Sequence, residues 1–168
     1  MDSESLKALQ APLKDQYRAE PQAALITLRA QSTGIDGIAC KLSTSKGMVE
    51  AGLHPASGGP GTQACSGDML LEALAACAGV TLQAVATAFG VKLTKSTVRA
   101  EGDLDFRGTL GVAKDAPVGF RDIRLVFDIA GDAPAETLKK IVSTSERYCV
   151  VLQTIRQCPN ISVEAHVA

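Results

Sequence analysis

Aromatic side chains are scarce in this chain, at 4% of residues with no Trp. Such rings are the platforms on which single-stranded nucleic acid stacks, so little stacking surface is on offer. A dense Lys/Arg run is missing too, and the formal net charge is -1. Without that electrostatic footprint, neither nucleic acid nor a membrane surface is expected as a partner. Histidine is confined to His54 and His166, and no CxxC or HxxxH spacing occurs. No metal site is expected from so thin a donor set, and a Ser-His-Asp hydrolase has little to draw on. The run Gly58-Gly59-Pro60-Gly61 lacks the Gly-Lys-Ser/Thr ending of a phosphate loop, so no cofactor of that class is expected and the run reads as a connection.

Long uninterrupted hydrophobic runs are lacking as well. The longest apolar segment, Met69 to Phe89, is interrupted by Glu72 and Gln83, and so falls short of the roughly 20 residues of a spanning helix. The start, Met1-Asp2-Ser3-Glu4, has neither a basic nor an apolar leader region, which points to a cytoplasmic protein. Its cysteines, Cys40, Cys65, Cys77, Cys149 and Cys158, are odd in number. In a cytosolic setting that favours free or redox-active thiols over a disulfide framework.

What is present is an ordinary globular composition, 46% hydrophobic and 21% charged, in a chain of the usual one-domain size. Residues 1–168 are expected to form a single domain, with 1–22 as an N-terminal extension in which Leu6, Leu9 and Leu13 suggest a short helix broken at Pro12. Strand-like runs follow at Ala24–Leu28, Ile38–Ser43 and Met48–His54, punctuated by Thr33-Gly34 and Ser45-Lys46-Gly47. A long helix is expected from Ser66 or Asp68 to Gly90, capped by one of those two polar residues and stopped by the glycine. It is apolar around most of its circumference and should be buried on nearly all sides.

Period-two alternation then predicts strands through Val98–Phe106 and Ile123–Ile129. Beyond Pro134 lies a second helical stretch with Leu138, Ile141, Val142, Cys149, Leu152 and Ile155 on one stripe, broken near Ser143–Glu146 with Ser145 as a new cap. A last strand, Ile161–Val167, completes the order β-β-β-α-β-β-α-β. Strands on both sides of a helix, on sheets with one wet face, give an α+β class.

Chemistry in such a chain has few carriers, and two helix-borne cysteines stand out. Cys77 lies among small residues in Leu74-Ala75-Ala76-Cys77-Ala78-Gly79, and Cys149 lies in Glu146-Arg147-Tyr148-Cys149. From the residues alone the plainer role is favoured, since free cysteine is among the most buried residue types. A reactive thiol needs help to ionise, and the dipole of its own helix has faded by Cys77, about 13 Å from Asp68. Cys65, just before the helix start, is a rival nucleophile; Cys40 and Cys158 read as structural.

The block Cys65–Cys77, the strand from Gly119-Phe120 to Ile129, and Glu146-Arg147-Tyr148-Cys149 together resemble the OsmC / organic hydroperoxide resistance family. The resemblance runs from about Ala23 to the C-terminus. It implies an OsmC-like fold: antiparallel sheets wrapped around long central helices in an intertwined homodimer. It also implies a thiol peroxidase acting on organic hydroperoxides or hydrogen peroxide, with Cys77 peroxidatic, Cys149 resolving, and an external dithiol resetting the pair. Family peroxidases bring an Arg to the thiol from a Gly-Arg-Asp-Gly turn, where this chain has Gly34-Ile35-Asp36-Gly37, and the Glu that orients that Arg is matched here by Asp68. Arg18 and Arg29 are the candidate replacements. The same departures frame the alternative: a non-catalytic dimer of this fold that binds a small apolar ligand at its interface.

Overall fold

The computed structural model describes residues 2–20, 31–34, 39–44, 47–111 and 113–167. Helix α1, Ser3–Ala19, opens with the Ser5 amide donating to Asp2 Oδ1 at 2.7 Å, an N-cap that satisfies one of the orphan amides of a helix start. It runs unbroken through Pro12, contrary to the expected break. The ring removes one backbone donor without ending the element. The predicted strand Ala24–Leu28 lies outside the described residues.

A four-stranded sheet follows, β1 (Gln31–Gly34), β2 (Ala39–Thr44), β3 (Gly47–Gly52) and β4 (Ala64–Cys65), in that spatial order. The first three pair antiparallel, as expected of a meander, and β4 joins β3 in parallel; Thr33-Gly34, expected as a turn, instead lies within β1, paired with Lys41 and Cys40. Between β3 and β4, a 3-10 turn at Pro55–Ser57 is capped by His54, whose Nδ1 accepts the Ala56 amide at 3.0 Å.

Helix α2, Ser66–Ala88, is the axis of the molecule. Neither Ser66 nor Asp68 caps it: Cys65 stands at the N-cap, offers no side-chain bond, and Ser66 is already helical. The end is as the glycine foretells. Gly90 sits at φ 69°, its amide reaching the Thr87 carbonyl at 3.0 Å, and the Val91 amide reaches Ala86 at 2.9 Å. That pair of bonds is a Schellman ending, which a residue with a Cβ enters only under strain.

Strands β5 (Leu93–Leu104) and β6 (Phe120–Gly131) form a separate antiparallel ribbon, linked through a short helix α3 (Phe106–Thr109). Period two does what it predicts here as far as Leu104; Phe106, expected at the end of the strand, opens α3 instead. Val98, Ala100, Ile123, Leu125 and Phe127 turn toward α2, while the outer face carries Arg124 in a bidentate pair with Asp103 and Lys95 with Asp128 at 2.6 Å.

Helices α4 (Ala135–Tyr148) and α5 (Val150–Arg156) pack beside α2 and complete the core with the ribbon. The expected break near Ser145 occurs instead at Cys149. Ser145 is fully buried and its hydroxyl donates to the Ile141 carbonyl at 2.7 Å, so it is absorbed within α4 and has no cap to make.

On α2, Leu74, Ala78, Leu82 and Ala86 repeat every four residues and form the buried stripe. One cluster joins Leu74 and Ala78 to Cys149 and Leu152; a second joins Leu82 and Ala86 to Ile141. The expectation of burial on nearly all sides is not met within one chain. Val80 is 72% exposed, and Ala73, Ala76 and Ala84, on the same side of the helix, are exposed with it. By length and composition α2 is apolar enough to cross a membrane, but here its buried stripe forms the core against the chain's own ribbon and helices. The predicted strand Ile161–Val167 is also not formed: among the described residues it finds no neighbour, and Ile161, Val163 and Val167 are exposed. Alternation selects a face, but a strand exists only when another edge supplies its hydrogen bonds.

Candidate active site

The kink between α4 and α5 builds the site. At Cys149 the backbone turns to φ −71°, ψ 105°, making this residue at once the C-cap of α4 and the N-cap of α5. Its amide still reaches Ser145 at 2.9 Å, and its carbonyl accepts from Gln153 at 2.9 Å. A continuous helix would have sent the Val150 amide to the Glu146 carbonyl. The extended residue turns that amide away, and the Glu146 carbonyl takes the Gln153 side-chain amide at 2.8 Å in its place. Released from the ladder, the Val150 and Val151 amides act on the sulfur of Cys77 across the interface with α2.

Cys77 and Cys149 are thereby brought together, 72 positions apart in the chain, with Cys77 packed against the core cluster that holds Cys149 and each thiol acting on the other's ionisation. Their environments push them in opposite directions. Around Cys77, burial opposes ionisation most strongly. The Val151 amide, the Cys149 thiol, the Val150 amide and the Thr81 hydroxyl together outweigh it, so its pKa is lowered. Cys149 is fully buried, and its pKa is raised, by burial first and then by the neighbouring Cys77. Both thiols are free. Cys77 is half-buried and lies about 60° around α2 from Val80, at the border of the open apolar face.

The Thr81 hydroxyl donates to the Cys77 carbonyl one turn back at 2.8 Å. Its single proton serves either that carbonyl or the sulfur, so the back-bond competes with support of a thiolate. Between α5 and the ribbon, a cavity of about 240 Å³ is lined by Leu74, Ile123, Leu125, Phe127, Leu152 and Ile155, with Glu146 and Arg156 beside them; neither thiol lines it. Glu146 and Arg156 form an ion pair of 3.4 Å.

Asp68 is not part of this cluster. It is exposed in the first turn of α2, nine residues from Cys77 and on the opposite side of the helix. The turn at 35–37 and Arg29 lie outside the described residues. Cys65 lines a different cavity of about 320 Å³ with His54, Phe106 and Phe120, about 18 Å along α2 from Cys77. His54 stacks on Phe106 there, ring centres 5.0 Å apart.

The sequence pointed to both thiols but missed Val150, Val151, Thr81 and Gln153. The backbone amides leave no mark in sequence beyond the position of the kink. Thr81, one turn after Cys77, carried the only readable signal.

Residues 59–164 match the family of OsmC-like proteins. Among solved structures, an OsmC-like protein from Mycoplasma pneumoniae superposes with TM-score 0.66 at 16% identity, covering 79% of this chain and 89% of that one. An organic hydroperoxide resistance protein from Elizabethkingia anophelis gives 0.63 at 19%, covering 80% and 91%. The organic hydroperoxide resistance protein OhrB of Bacillus subtilis gives 0.53 at 20%, covering 80% and 94%. No curated protein matches.

Proposed function

Given that the chain belongs to the OsmC-like protein family, we propose that it is a thiol-dependent peroxidase. In this reading it reduces organic hydroperoxides or hydrogen peroxide through Cys77 and Cys149. The observation that carries the proposal is the contact between two free thiols whose pKa values are driven apart, Cys77 down and Cys149 up. Separation of that kind assigns roles to a pair of titratable groups.

The Cys77 thiolate attacks the outer peroxide oxygen. The O–O bond breaks, the alcohol or water leaves with a proton, and Cys77 becomes a sulfenic acid. The Cys149 thiol then attacks that sulfur, forming the Cys77–Cys149 disulfide and releasing water. An external dithiol returns both thiols by two exchange steps and is itself oxidised to a disulfide. Amides of Val150 and Val151 take the place that a cation holds in relatives carrying the Gly-Arg-Asp-Gly turn.

The reading includes a homodimer. The exposed Val80 side of α2 and the unpaired alternating segment Ile161–Val167 are surfaces that a second copy would cover. Asp68 takes part only through that assembly, because within one chain it faces away from Cys77.

The test is consumption of cumene hydroperoxide and hydrogen peroxide with a dithiol, comparing wild type with Cys77→Ser and Cys149→Ser. Turnover in wild type alone supports the proposal; wild type no faster than Cys77→Ser refutes it. The second reading, an apolar ligand carrier, rests on the apolar cavity between α5 and the ribbon, which lies just below the usual size of small-molecule sites. It gains if peroxide is not consumed.

A further inference from the structure

We infer that Gln153 is a positioning residue for the thiol pair, acting through the kink at Cys149. The inference rests on the proposed role of the Cys77–Cys149 site and adds the group that holds it in shape.

Opening a helix at one residue strands a carbonyl on the near side. Here it is that of Glu146, and a stranded carbonyl draws the chain back toward a continuous helix, in which the Val150 amide would return to it. Gln153 removes that pull. Its side-chain amide donates to the Glu146 carbonyl at 2.8 Å from seven residues ahead, while its backbone amide donates to Cys149 at 2.9 Å. One residue therefore clasps both sides of the break, and it is partly buried, where water competes less for the carbonyl. Without the clasp, Val150 and Val151 turn back into the helical ladder and Cys149 swings with them, away from α2.

The surroundings of Cys77 isolate this effect. From the ribbon, Val98, Ala100, Ile123, Leu125 and Phe127 pack against the cluster and carry no charge. From the kink, Cys149 is the titratable group that meets the sulfur. Of the nearby charges, Arg147 lies over the Tyr148 ring and Glu146 is paired with Arg156; neither is among the main influences on Cys77.

The experiment is the pH profile of Cys77 alkylation by iodoacetamide, read by mass spectrometry on the reduced full chain. It compares wild type with Gln153→Met, which keeps length and helix preference without the donor, and Gln153→Glu, which keeps the shape but at neutral pH offers only acceptors. Both variants are expected to alkylate about 3- to 10-fold more slowly at pH 7, with the profile displaced to higher pH, and to form the Cys77–Cys149 disulfide more slowly. A profile unchanged in the two variants, with or without a lower melting temperature, overturns the inference. The two readings fail separately: a wild type that consumes no peroxide while Gln153→Met shifts the profile removes the peroxidase and leaves the clasp.

Discussion

Replacing Cys149 in two ways separates its support of the Cys77 thiolate from its capacity to form a disulfide. Cys149→Ala removes a donor to Cys77 and leaves a small void among Leu74, Ala78 and Leu152. Cys149→Ser keeps an O–H donor in nearly the same place. A hydrogen bond to a charged acceptor contributes about 1.5–3 kcal/mol, and about 1.4 kcal/mol corresponds to tenfold in the thiolate population at a pH below the pKa. Alkylation of Cys77 at pH 7 is therefore expected to slow about tenfold or more in Cys149→Ala and to stay within about threefold of wild type in Cys149→Ser. Neither variant can form the intramolecular disulfide, so peroxide turnover with a dithiol should fall in both. The sign follows from the direction of the shift: a group whose pKa is lowered by donors loses reactivity at neutral pH when a donor goes. An alkylation rate in Cys149→Ala equal to that in Cys149→Ser would show that Cys149 gives the thiolate no support, and the argument from opposed pKa values would fall with it.

Thr81→Val, which keeps the β-branch and removes the hydroxyl, should slow Cys77 alkylation at pH 7 by about 2- to 5-fold; an unchanged rate would assign Thr81 wholly to its bond with the Cys77 carbonyl. Leu82→Ala, at a fully buried position on α2, should cost about 2–5 kcal/mol in chemical unfolding, and a loss below about 1 kcal/mol would mean that the second cluster is not a packed core. Gly90→Ala should lower stability by about 1 kcal/mol, because φ 69° must be kept for the helix ending. Val80→Glu should shift a sizing-column profile toward monomer while leaving the far-ultraviolet dichroism of the chain in place; an unaltered elution volume would free the exposed side of α2 from the proposed dimer.

Elements with a strong local signal were legible. The ribbon strands alternate through Val98–Leu104 and Ile123–Phe127, and the close of α2 is written in Gly90. Less legible were features decided by partners far away. Ser145 looked like a cap because its type favours caps, yet the buried Ile141 carbonyl claims its hydroxyl, and the chain yields at Cys149 where two amides find a sulfur. The segment Ile161–Val167 has a strand's alternation and no strand's partner, which a single sequence cannot reveal. At the site, Cys77 and Cys149 stood out as helix-borne thiols and the resemblance gave them roles, while their approach depends on how α5 packs against α2. The same resemblance directed attention to an activating Arg. The turn that would carry it, together with Arg29 and the Arg18 side chain, lies outside what is described, while the Val150 and Val151 amides lower the Cys77 pKa, and backbone amides are common to every sequence.

On the proposed reading, burial also fixes the order of events. A peroxide must reach the first sulfur from solvent, and Cys149, wholly enclosed by Leu74, Ala78 and Leu152, offers it no approach. Within one chain Cys77 lies half open, at the rim of the α2 side that a second copy would cover, so a peroxide would meet it along the edge of that interface. Keeping Cys149 protonated then has a use: its thiol donates to the Cys77 thiolate before attack, and its proton is available to the leaving oxygen as the O–O bond breaks. Once Cys77 is a sulfenic acid, the donors that had favoured its negative charge no longer hold a charge in place. Cys149 needs no long movement to reach a sulfur packed against its own cluster. Exchanging the roles would require the buried thiol with the raised pKa to ionise first and a peroxide to cross the core. Mass spectrometry after one equivalent of cumene hydroperoxide and a sulfenic-acid trap should therefore find the adduct on Cys77 in Cys149→Ser and no adduct on Cys149 in Cys77→Ser. An adduct on Cys149 in the second variant would reverse the assignment.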